Sequence, residues 1–334
     1  MRDYRFDNIK ACLIILVVLG HFLEIVPGHP FLYLFIYSFH MPVFVFISGY
    51  FAKFDRKKLF FDLLCPYFIF QTVYLCFDAW IIKSKEVELI YTKPWWLTWY
   101  LLAMVAYHLL IPLIDVKSRR NKGLILMGTI VLALLSGYDK SVGYTMSLAR
   151  ILSFLPFFVA GYYMHKDSLG QQILQAKRKN LWITCSYTIM VVLFTAYVLH
   201  TGLISKKMLY GSYSYEAADY SMGIKALLLL IASAWIILFL WVTPNKKIAL
   251  LSNIGRYTMP IFLLHGFLVK LAGKWIAQGK LEMNLLQAIL ATLVIVIILG
   301  NKYSNTLFAD IFTLKWVRNA ISKPTTKNGA IAHE

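Results

Sequence analysis

Lys10 and His21 stand eleven residues apart in R-F-D-N-I-K-A-C-L-I-I-L-V-V-L-G-H, the stretch that ends at His21. At about 100° per residue, eleven steps make roughly three helical turns, so a helix carries both side chains on nearly one face, ~16 Å apart. A histidine that is neutral near pH 7 can take a proton and return it, and a lysine at the mouth of the same helix can hold an anion. Spacing alone leaves equal room for a structural histidine hydrogen-bonded between helices. Glu24, three residues beyond His21, can orient the imidazole proton or accept one, or can face water as an interfacial carboxylate. Arg150, in M-S-L-A-R-I-L-S-F-L-P, cannot shed its charge and must meet a carboxylate, a phosphate or water; Glu24 is one candidate partner. His40 precedes Met41-Pro42, where a kink is expected, and His265 follows Pro260. Ser48-Gly49 permits close helix approach, while His108 and Asp78 carry no assigned role.

These residues need elements to hold them, and composition says which. Of 334 residues, 59% are hydrophobic and only 15% charged, far from the balance of a soluble domain. Long apolar runs define an all-α polytopic membrane protein. Spans are expected near 9–26, 31–52, 59–82, 95–114, 122–138, 145–164, 180–200, 222–243, 256–277 and 284–301. His21, His40, Arg150 and His265 then come from four different spans at middle to outer depth. The net charge of +18 is spread between the apolar runs, where it orients the chain and meets anionic lipid, so nucleic acid is not an expected partner. The basic residues crowd onto alternate connections, among them Lys53, Arg56 and Lys57, then Lys117, Arg119 and Arg120, which puts both termini in the cytoplasm of a cell-membrane protein. Residues 1–301 form the membrane domain. Residues 302–334 form a cytoplasmic tail with an interfacial amphipathic candidate over Asn305–Ile321. The outer connection near 201–221 carries G-S-Y-S-Y, whose tyrosines read first as interfacial anchors. The four cysteines lie inside apolar runs without metal-ligand spacing; neither a metal site nor a disulfide framework is expected. No cleavage signal follows His21, so the first helix is retained. No phosphate-cradling loop, H-E-x-x-H or G-x-S-x-G is present.

The stretch R-F-D-N-I-K-(x10)-H resembles the opening signature of the integral membrane acyltransferases called acyltransferase 3. F-H-M-P-V-F-V-F-I-S-G-Y, L-T-W-Y-L-L-A-M, R-I-L-S-F-L-P-F-F-V-A-G-Y and I-G-R-Y-T-M-P-I-F-L-L-H resemble successive blocks of its sugar O-acetylase-like branch. The likeness runs in order over about residues 4–301. It implies transfer of an acyl group, usually acetyl from cytoplasmic acetyl-CoA, to a hydroxyl at the outer face. Lys10 and His21 match the basic–histidine pair, and Arg5 and Asp7 the charged positions before it. His40, Ser48, Trp99, Arg150 and His265 match block positions whose role is less settled. The cytoplasmic loop shows only Arg119-Arg120 where some members carry more spaced arginines.

The expected roles follow. His21 removes the acceptor proton, Glu24 fixes its tautomer, and Arg150 or the kinked backbone near Pro42 meets the oxyanion. Arg5, Asp7, Lys10, Arg119 and Arg120 serve the acyl-CoA, and His40, Ser48, Trp99 and His265 the acceptor, an extracytoplasmic glycan or a small molecule. Self-association is left open. The competing expectation is a transporter of a small polar solute or lipid-linked sugar, with the same polar groups lining its path.

Overall fold

The computed structural model describes residues 2–83, 90–140, 143, 145–166, 181–312 and 314. Among them the secondary structure is helical, with no strand. In chain order the principal helices are α1 (Tyr4–Phe22), α2 (Pro30–Tyr37), α3 (His40–Tyr50), α4 (Arg56–Ile82), α5 (Trp99–Ile114), α6 (Arg119–Leu135), α7 (Leu148–Lys166), α8 (Leu181–His200), α9 (Met222–Val242), α10 (Ala249–Arg256), α11 (Thr258–Ala277), α12 (Leu285–Leu299) and α13 (Lys302–Phe312). Each of the ten expected segments contains helix among its described residues. Among the described residues six helical stretches (α2 with α3, α4, α7, α8, α9 and α11) are long and apolar enough to cross a membrane, or seven if α12 and α13, bent by 67°, form one span. The difference from ten has visible causes. The first two turns of α1 carry Arg5, Asp7 and Lys10, and α5 and α6 are only 16 and 17 residues long. The protein is a polytopic helical membrane protein.

Helix α1 is the axis of the bundle. A helix that is apolar all round belongs inside, and α1 packs against α2, α3, α10, α11 and α12. Its cytoplasm-expected end is pinned by polar contacts. Asp3 caps the helix by accepting from the Arg5 amide, and Asp7 pairs with Arg2 at 2.7 Å and with Lys10 at 3.1 Å. The Asn8 amide donates to the carbonyls of Pro244 (3.2 Å) and Lys246 (3.0 Å), and Ser252 donates to Asn8 Oδ1 at 2.8 Å. Gly255 of α10 lies so close that a Cβ would overlap the Asp7 carbonyl.

The second expected span is broken, but one turn earlier than Met41-Pro42. The break falls at Ser38-Phe39, between α2 and α3. Pro42 thereby sits in the first turn of α3, where a missing amide hydrogen costs nothing, instead of clashing with the carbonyl four residues back. The Ile36 carbonyl beside the break accepts a hydrogen bond from His40 Nδ1 at 2.9 Å. The expectation for Ser48-Gly49 holds as packing: a Cβ on Gly49 would overlap the Phe158 carbonyl, and one on Gly161 that of Phe46, so α3 and α7 meet backbone to backbone.

The described part of the tail docks instead of lying free. Phe308 of α13 is 4% exposed and stacks on Phe70 of α4, ring centroids 5.9 Å apart. The rest of the Asn305–Ile321 stretch, apart from Leu314, lies outside the described residues, as does everything beyond 314.

Candidate active site

Two cavities of about 330 Å³ each lie end to end along α1. The first is lined by Lys10, Lys58, Ser48, Tyr100 and His108 among apolar side chains. The second is lined by His21, Glu24, Tyr37, His40, Trp99, Arg150 and Lys270. Val17, Met41 and Phe262 line both and so form the partition between them. The face shared by Lys10 and His21 thus looks into one cavity near its start and the other near its end, with Val17 between.

His21 is 8% exposed and differs from the other buried histidines in what holds it. His40, His108 and His265 each send Nδ1–H back to the carbonyl four residues earlier, at 2.8–2.9 Å. A carbonyl only accepts, so those rings are fixed as Nδ1–H tautomers by their own helices. His21 instead donates Nδ1–H to Glu24 Oε1 at 3.3 Å, sharing it with the Tyr37 hydroxyl oxygen at 3.1 Å. Tyr37 donates its own proton to the same carboxylate oxygen at 2.7 Å. Tyr33 adds a longer bond to Glu24 (3.4 Å) and meets the Tyr210 hydroxyl at 2.7 Å. A carboxylate that accepts from an imidazole Nδ1–H leaves Nε2 as a lone pair and favours the imidazolium that forms when Nε2 takes a proton. Of the four buried histidines His21, His40, His108 and His265, His21 is the one whose Nδ1 meets a carboxylate.

The walls of the second cavity keep the imidazole in place. Trp96 meets it edge to face at 4.4 Å between centroids, and His265, fully buried, stacks on it at 5.3 Å. Trp96 is held by the segment before α5, which Gln71 of α4 ties down. The Gln71 amide donates to the carbonyls of Ile90 and Lys93 and accepts from the Trp95 amide and the Thr98 hydroxyl. Arg150 lies over the Trp99 ring at 5.1 Å and donates from Nε to the Tyr210 carbonyl at 3.3 Å, so the 201–221 connection roofs the cavity. The tyrosines there turn inward: Tyr215 is 8% exposed and donates to the Leu134 carbonyl at 2.6 Å.

The sequence-derived candidates divide accordingly. His21, Glu24, His40, Trp99 and Arg150 come together in the second cavity, with His265 behind His21. Lys10 and Ser48 line the first, where the Ser48 hydroxyl meets that of Tyr100 at 2.6 Å. Arg5 and Asp7 are buried at the start of α1 and line neither cavity; Asp7 acts through Lys10. Arg119 and Arg120 open α6, exposed and outside the lining. Tyr37, Trp96, Tyr210, Lys58 and Lys270 were not foreseen. Tyr33 and Tyr37, four apart and hence on one helix face, were the available signal for the first. Among the described residues no group of three His, Cys, Asp or Glu side chains is placed to hold a metal ion.

The described helices thus bring a carboxylate–histidine pair to one cavity and a lysine to the adjoining one. The chain belongs to the acyltransferase domain family, whose profile it matches over residues 3–300. It is also similar to the nodulation protein NolL of Sinorhizobium fredii (strain NBRC 101917 / NGR234), 28% identical over 222 residues, which are 58% of this chain and 57% of that protein. The match therefore spans little more than half the length of that curated relative. No solved structure matches.

Proposed function

We propose that this membrane acyltransferase moves an acetyl group from cytoplasmic acetyl-CoA to a hydroxyl of a cell-envelope sugar or related acceptor, with His21 as general base. One observation carries the reading. A single helix, α1, presents Lys10 to one cavity and the Glu24-paired His21 to the next, with only Val17, Met41 and Phe262 between them. A thioester arriving from one side and a hydroxyl from the other meet at that partition.

The chemistry assigns each group a task. Lys10 and Lys58 hold the CoA phosphates at the cytoplasm-facing end of the first cavity, and its apolar wall accepts the pantetheine arm. His21 Nε2 takes the acceptor's hydroxyl proton as the oxygen attacks the thioester carbonyl. Glu24 and Tyr37 stabilise the imidazolium, and Arg150 offsets the negative charge on the carbonyl oxygen. When the C–S bond breaks, the imidazolium returns its proton to the leaving thiolate, and His21 is neutral again. Trp96 and Trp99 supply flat faces against which a sugar ring packs.

The test uses the full chain in nanodiscs with acetyl-CoA. Free thiol is followed in solution, and an acetyl increment is sought by mass spectrometry of envelope glycans with and without the protein. His21→Ala abolishes transfer while the protein still inserts and binds acetyl-CoA. A His21→Ala protein that still transfers the acetyl group overturns the role.

A further inference from the structure

The second cavity is more positive than acyl transfer to a neutral sugar requires. Among its described lining residues Glu24 is the one carboxylate, and two cations, Arg150 and Lys270, face the same space. Glu24 is engaged with His21, Tyr37 and Tyr33 and does not pair with either cation within 4 Å among the described ion pairs. The Lys270 ammonium is held over the Trp95 and Trp96 rings, 5.0 Å from each centroid, and shares its two pockets with Glu24 without forming an ion pair within 4 Å among the described residues. An aromatic face steadies an ammonium but does not neutralise it, so its charge remains available to a ligand.

Position separates Lys270 from the thioester. The partition residues Val17, Met41 and Phe262 close the inner end of the cavity, whereas Lys270, with Glu24 and Trp96, also lines an adjoining outer pocket of about 320 Å³. Lys274, one turn further along α11, lines that pocket as well and donates to the Ile81 carbonyl. Lys206, over the Tyr33 ring at 4.8 Å, lines a third pocket that also borders Glu24. Cations therefore surround the way in for the acceptor, beside tryptophans that suit a sugar ring.

We propose that the acceptor is an acidic sugar unit, one bearing a carboxylate or phosphate that Lys270 receives while the hydroxyl reaches His21. This rests on the acyltransferase reading above and adds the substrate class. A charge-assisted contact to such an anion fixes the ring in one orientation, so the same contact sets both affinity and which hydroxyl is presented.

The experiment separates binding from turnover. His21→Ala protein in phosphatidylcholine nanodiscs is titrated with a neutral hexoside, a hexuronate glycoside and a hexose 1-phosphate. Thermal shift and calorimetry report binding, which needs no transfer. An acidic ligand binds at least about 10-fold more tightly than the neutral one, adding Lys270→Gln removes that margin, and Lys270→Arg keeps it. Whichever acidic ligand binds distinguishes a carboxylate sugar from a phosphorylated one. Equal binding of all three, or none, overturns the proposal whether or not the protein transfers acetyl groups. So does phosphatidylglycerol in the discs producing the Lys270-dependent stabilisation, which assigns the cation to lipid. In turnover with otherwise native protein, Lys270→Gln lowers the preference for acidic over neutral acceptors. Equal loss for both, with acidic binding intact, makes Lys270 an oxyanion group and also overturns the proposal. Absence of transfer to any acceptor, with acidic binding present, counts against the acyltransferase reading alone.

Discussion

Replacing Glu24 by Gln removes one charge and almost no volume. In the native site Glu24 Oε1 stands 3.3 Å from His21 Nδ1 and 2.7 Å from the Tyr37 hydroxyl. With an effective dielectric of ~20, a carboxylate at that distance attracts a developing imidazolium by about 5 kcal/mol. Glu24 retains 27% side-chain exposure, and solvent screening roughly halves the figure. A loss of ~2–3 kcal/mol in the transition state corresponds to about 10²-fold in kcat. The amide can also turn its NH₂ towards Nδ1, which moves the ring proton to Nε2 and removes the base outright, so 10²-fold is the lower end. Glu24 lines the second cavity and not the first, so the KM for acetyl-CoA stays within about 2-fold. The assay is initial-rate thiol release in nanodiscs, with a melting curve on each variant and Glu24→Asp as the charge-retaining control. A Glu24→Gln protein that melts normally and turns over within 3-fold of wild type (about 0.65 kcal/mol) refutes the assignment of Glu24 as the group that orients His21.

The partition offers a separate perturbation. Val17→Phe fills the space that both cavities share, so transfer falls by at least about 10²-fold while acetyl-CoA binding, measured calorimetrically, persists; unchanged turnover would show that the two cavities do not communicate there. At the other end, Lys10→Ala and Lys58→Ala each raise the KM for acetyl-CoA by about 10-fold, with kcat retained and the effect shrinking as salt rises; salt-independent KM values would remove phosphate contact as their role.

The sequence carried the helices because apolar length is written in each segment separately. The position of the His21 side chain relative to Lys10 followed from helical periodicity, and both do face cavities along α1. Long-range pairings were not legible. Nothing in the segment 90–98 says that Gln71 will bind four of its groups, or that Trp96 will thereby touch His21. The tyrosines around Glu24 come from α2 and from the outer connection: Tyr33 lies 9 residues from Glu24 and meets Tyr210, 177 residues further along the chain. Arg119 and Arg120 show the opposite limit: a basic doublet on the expected side carries no information about which cavity it reaches. The kink illustrates a rule applied one turn too late, since a proline disrupts the turn before it. Met41 still ended in the wall, as a partition residue.

The anchoring of α1 has a consequence for how the protein comes into being. Asn8 is bonded to Pro244, Lys246 and Ser252, across 236 to 244 residues of chain, and α1 is enclosed by α10, α11 and α12. The buried Asn8 of α1 therefore waits for chain 236 to 244 residues further on before its side chain finds its partners. Until then Asn8 must rest in the insertion machinery or the lipid without them, where a buried polar group is costly, whereas Asp7 already has Arg2 and Lys10 beside it. Closure of so large a loop is slow and comes late in synthesis. Since Phe262 of α11 lines both cavities beside α1, neither cavity is assembled until α11 has packed against α1 and the bundle locks.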